Sequence, residues 1–111
     1  MVKGATDWQK AGICMSSVEH CNVSNNNVTN NCDGIILYYS NNNVLANNNA
    51  SSNNDEGFDL PSCDDNTLIN NTVSNNGNGI YLRGYNNVLN GNTANSNRHS
   101  GINVWYGETT P

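Results

Sequence analysis

Residues 70–87 read NNTVSNNGNGIYLRGYNN, a single apolar burst, Ile80-Tyr81-Leu82, in a bed of asparagine and glycine. Asparagine is poorly suited to helix interiors and depleted in strands, so the burst must be read with what surrounds it. It recurs. Gly12-Ile13-Cys14-Met15, Gly34-Ile35-Ile36-Leu37, Gly57-Phe58-Asp59-Leu60, Gly79-Ile80-Tyr81-Leu82 and Gly101-Ile102-Asn103-Val104 repeat one pattern at intervals of 22, 23, 22 and 22 residues. A disordered asparagine-rich tract has no reason to keep such a register, whereas a stacked repeat does.

Each unit holds two further apolar positions. Val23, Leu45, Leu68 and Leu89 form the first set, and Val28, Ala50, Val73 and Ala94 follow five residues later. These segments are too short for helices. Alternation in Gly-Ile-x-Leu places Ile and Leu on one face of a strand. Three short strands per repeat describe an all-β fold: a right-handed, single-stranded parallel β-helix of about four to five coils of 22–23 residues, spanning 1–111 as one domain. The first eleven residues fit the end of an earlier repeat, with Ala5 seven residues before Gly12 as Ala50 is before Gly57. Successive coils of such a fold stack about 4.8 Å apart, so like residues lie above like.

The chain contains 27 asparagines among 111 residues, none in the first 20. The β-helix gives them work. Asparagine tolerates the left-handed backbone of a sharp corner, and identical asparagines in a column can bond amide to amide. Asn26, Asn48, Asn71 and Asn92, each two residues before the third apolar position, are the expected inward ladder.

Charge limits the partners. With four Lys plus Arg against nine Asp plus Glu, the chain lacks the basic groove that nucleic acid requires. No apolar run approaches the roughly 18 residues that cross a bilayer. The opening MVKGATDWQKAGICM has no apolar signal region, so the protein either stays in the cell or this chain lacks its export signal.

The stretches NNTVSNNGNGIYLRGYNN and, at 41–60, NNNVLANNNASSNNDEGFDL resemble the repeats of the NosD-like right-handed parallel β-helix group, also described as a carbohydrate-binding and sugar-hydrolysis β-helix domain. The resemblance runs from Ala5 to Tyr106. It implies an extracytoplasmic location, in the periplasm or at the cell surface. Related β-helices include polysaccharide lyases, hydrolases and epimerases, and name-giving members assist copper-site maturation. The chain is shorter than typical members and shows no capping segment, which suggests a fragment, or a protomer that stacks on itself or on a larger parent.

If Ile and Leu point inward, Cys14, Ile36, Asp59, Tyr81 and Asn103 point outward, as do Ser16, Tyr38, Pro61, Arg83 and Trp105. Ser17, Tyr39, Ser62, Gly84 and Tyr106 then mark the corner. Tyr38, Tyr81, Trp105 and Tyr106, with Asp59 and Arg83, form one strip suited to sugar rings, in which Arg83 can pair with a uronate carboxylate. Aromatics are also favoured on any strand surface, so this strip reads equally as ordinary sheet.

Asp59, Asp64 and Asp65 are the candidate catalytic carboxylates, and the acids around Asp55, Glu56 and Asp59 offer oxygen ligands for Ca²⁺. The alternative is a solvated acidic corner. His20 and Cys21 are adjacent soft donors that copper accepts. The four cysteines match no zinc spacing, and their disulfide connectivity cannot be read. The expectation is a non-catalytic module that binds or scaffolds polysaccharide. Two alternatives stand beside it: a polysaccharide lyase or glycoside hydrolase, and a copper-related maturation factor.

Overall fold

A computed structural model describes residues 2–4 and 10–105. Nine strands follow one another: β1 (Ala11–Ser16), β2 (Asn22–Ser24), β3 (Asp33–Tyr38), β4 (Val44–Ala46), β5 (Glu56–Leu60), β6 (Thr67–Ile69), β7 (Asn78–Arg83), β8 (Val88–Asn90) and β9 (Ser100–Trp105). Odd-numbered strands stack in chain order into a five-stranded parallel sheet, and even-numbered strands into a four-stranded one. A third side has single parallel bridges, Asn27 to Asn49 to Thr72 to Thr93. The result is a parallel β-solenoid of about four turns, with no helix among the described residues.

Register follows the repeat. Ile13 pairs with Ile35, Ile35 with Phe58, Phe58 with Ile80 and Ile80 with Ile102. Ile35, Leu37, Phe58, Leu60, Ile80 and Leu82 are fully buried, with Leu45, Leu68, Val28, Ala50 and Val73 from the other two sides. Burying one such side chain contributes about 1.5–3 kcal/mol. The columns open at the ends: Ile13 and Met15 are half-buried, and Ile102 and Val104 are 45% and 44% exposed. Ala5 lies outside the described residues. Val2 pairs with Val28 and so occupies the third side below it.

The glycine column is a packing requirement. A Cβ on Gly57 would lie 2.7 Å from the carbonyl oxygen of Gly79 in the next coil and 2.9 Å from that of Ala50.

Four corners turn each coil, and each has a residue of positive φ: Tyr39, Asn42, Asn47 and Ser52 in one coil, Ser62, Asp65, Asn70 and Asn75 in the next. Directly after the last three of these sits an inward asparagine. Three ladders result instead of the expected one. Asn26, Asn48, Asn71 and Asn92 form the expected ladder, Asn31, Asn53, Asn76 and Asn97 a second, and Asn43, Asn66 and Asn87 a third, with Cys21 in its first place. Each backbone N–H donates to the Oδ1 of the next coil, as Asn48 does to Asn71 at 2.9 Å. From Asn48 onward in the expected ladder, and throughout the other two, Nδ2 donates back to a carbonyl of the previous coil, as Asn71 does to Leu45 at 2.9 Å. In an Asn-Asn pair such as Asn47-Asn48, the first residue bends the chain and the second ties the coils.

Candidate binding face on the five-stranded sheet

The odd-numbered strands hold their outward side chains in fixed columns. Asp59 pairs with Tyr81 and Tyr81 with Asn103, while Arg83 pairs with Trp105. Tyr38, Arg83 and Trp105 are exposed, and Asp59 and Tyr81 half-buried. The Arg83 guanidinium donates to the Tyr81 hydroxyl at 3.4 Å. Tyr106 lies outside the described residues. Ile36 departs from the expected open strip: it points away from Ile35 and Leu37 yet is only 2% exposed. The strip is therefore interrupted at Ile36, with Tyr38 exposed beside it, and open from Asp59 to Trp105.

Beside the strip the chain gathers acids. Asp33 on β3 and Glu56 and Asp59 on β5 bring carboxylate oxygens within 4.8 Å of one another. Asp33 is buried, and its Oδ1 accepts from the Glu56 backbone N–H at 2.8 Å. Glu56 accepts from Asn78 Nδ2 at 3.1 Å. Burial raises the Asp33 carboxyl to about 7, helped by the neighbouring Glu56 and Asp59. Burial and then Glu56 raise Asp59 to about 6, against a lowering pull from Arg83. Tyr38 is also raised, by burial and then by Asp59. Two carboxyls poised near neutrality on one face are chemically notable, because acids there can exchange a proton at working pH.

The remaining sequence candidates go elsewhere. Asp64 Oδ1 accepts from the Tyr85 N–H at 2.8 Å, and Asp65 bends the corner with φ 56°. Both thus have structural work at the corner between β5 and β6. His20 is an exposed corner residue with φ 56°, whereas Cys21 occupies the ladder column below Asn43 and its Sγ donates to the Glu19 carbonyl. The fold therefore gives these neighbours different jobs. Among the described residues neither joins a group of three or more ligating side chains. Asp33 was missed by sequence reading. Its signal was its place directly before Gly34, matching Glu56 before Gly57.

A family profile described as periplasmic copper-binding protein (NosD) matches residues 1–110. The chain belongs to the NosD family. No curated relative and no solved structure matches it. Among the described residues no helix is long and apolar enough to cross a membrane.

The NosD description raises the question of copper, and the donor set answers it. Two groups of ligating side chains gather: Cys32, Asp33 and Asp55, and Asp33, Glu56 and Asp59. Copper in its reduced state prefers thiolate, thioether and imidazole. Together these groups offer four carboxylates, with Asp33 shared, to one sulfur. That sulfur is a held thiol: Cys32 donates to Asp55 at 3.2 Å, and burial and the adjacent acids push it up to about 12. The gathered residues do not fit copper. None of the four cysteines is in a disulfide.

Proposed function

We propose that this NosD-family chain is a periplasmic β-solenoid module that binds an extended polysaccharide along the open strip from Asp59 to Trp105. The observation that carries the reading is the in-register stacking of Tyr81 beside Asp59 and of Arg83 beside Trp105 on neighbouring coils. Parallel strands hold these groups on a rigid plane, so little ordering entropy is lost when a polymer lies across them. Aromatic faces suit the C–H face of a sugar, and Arg83 and Asp59 offer hydrogen bonds to hydroxyls. Asp33, Glu56 and Asp59 gather beside a strip whose one cation is Arg83, so a neutral polymer is favoured over a polyuronate. An open face buries less ligand than a pocket, so affinity is modest.

The test is retention on immobilised neutral and acidic polysaccharides. The wild type should be retarded on a neutral polymer, and Tyr81→Ala, Trp105→Ala should elute in the void. Equal elution of both proteins on every polymer removes the reading. A second reading, glycosidic cleavage, is favoured by the raised Asp59 carboxyl beside the strip. Release of soluble sugar by the wild type, lost in Asp59→Asn, would replace binding with turnover.

A further inference from the structure

We infer that the described residues of this chain hold no copper site, although its family is described as copper-binding, and that copper favours its unfolded form over its folded one. All four cysteines, both histidines and Met15, which is half-buried on β1, are among the described residues, so these soft donors can be followed one by one. Cys14 stands exposed on β1. Cys21 is committed to the ladder column, where its backbone N–H donates to Asn43. Cys32 is buried against Asp55. Cys63 is fully buried, and its Sγ donates to the Leu37 carbonyl at 3.1 Å and the Pro61 carbonyl at 3.4 Å. His20 bends one corner and His99 lies exposed near another.

Among the described residues no group of three ligating side chains contains two sulfurs or an imidazole. A metal must take its ligands deprotonated. Folding works against this, since it buries two thiols and spends them as donors to oxygen. The unfolded chain regains four accessible thiols and two imidazoles on a flexible backbone. A ligand that prefers the unfolded state destabilises the fold by mass action.

The experiment is thermal unfolding of the wild-type chain under anaerobic, reducing conditions, with Cu(I) delivered from a colorimetric chelator. Before heating, the folded protein should leave the copper with the chelator. The melting temperature should fall as Cu(I) is raised. A rise in melting temperature, or withdrawal of one equivalent of copper by the folded protein, would overturn the inference. The outcome is separable from the polysaccharide reading, because retention on a glycan column is measured without metal.

Discussion

Asn71 is 1% exposed and uses its side chain in both directions: Nδ2 donates to the Leu45 carbonyl of the previous coil and to Asn92 Oδ1 of the next, each at 2.9 Å. Its own Oδ1 accepts from the Asn48 N–H at 2.9 Å. Asn71→Ala strands those groups in a dry interior, where an unsatisfied buried donor or acceptor costs about 1–3 kcal/mol. Chemical denaturation should show a loss of that order, and Asn70→Ala should isolate the different cost of a strained corner. The acids act at the same scale. Asp33 and Asp59 have folded values of about 7 and about 6 against an ordinary 3.8. The folded state therefore holds protons that the unfolded chain has already lost. The stability from these groups is full below pH 4 and declines as pH rises toward about 7. Melting temperatures measured from pH 4.5 to 8 should fall across that window. Asp33→Asn, which keeps the Oδ1 acceptor for Glu56, should flatten the fall.

At the scale of the elements, the five-stranded sheet was legible because Gly-Ile-x-Leu has the strand period of two and recurs in register. The glycine was legible as a repeat, but its reason was not. It stands where one coil's backbone meets the next: a Cβ at Gly57 would press 2.7 Å from the Gly79 carbonyl and from Asn76 Nδ2. Gly57→Ala should therefore be destabilising, although alanine usually stiffens a chain favourably. A melting temperature at or above wild type would remove this account. Two of the three ladders escaped the sequence because asparagine has two roles in this chain. Asn42 and Asn43 look alike in the sequence, yet one has positive φ and the other is buried. The five-residue spacing of Asn43, Asn48 and Asn53 was the signal that separates them. The acidic group was only partly legible, since Asp33 meets Glu56 and Asp59 across a coil boundary 23 residues long. The strip itself followed from strand alternation. The burial of Ile36 did not, because it depends on what lies over the outer face rather than on the strand's own period.

At the scale of the whole molecule, contacts run almost entirely between adjacent coils, which makes the stack nearly one-dimensional. The interior coils have complete columns, while the β1 and β9 coils hold half-buried or exposed members of the same columns. The repeat length is not constant, and it varies at two corners: Gly79 lies eight residues before Asn87, where Gly34 and Gly57 lie nine before Asn43 and Asn66, and the corner ahead of the glycine varies as well. Two residues separate the ladder asparagine from the glycine in Asn31-Cys32-Asp33-Gly34 and Asn76-Gly77-Asn78-Gly79. Three separate them in Asn53-Asn54-Asp55-Glu56-Gly57 and Asn97-Arg98-His99-Ser100-Gly101. The extra residue is taken up locally: the N–H groups of both Gly77 and Asn78 donate to the single Asp55 carbonyl, and Arg98 reaches back to the carbonyl of Asn54. By contrast, the ladder positions Asn43, Asn48 and Asn53 keep their fives without exception in every coil that has them. The corner ahead of the glycine is thus an expansion joint of the fold, one of two places, with the corner between β7 and β8, where this chain changes length without disturbing its ladders. It is also where a foreign loop can be grafted. A short Gly-Ser insertion after His99 should leave the melting temperature close to wild type, whereas the same insertion between Asn70 and Asn71 should unfold the coils above it.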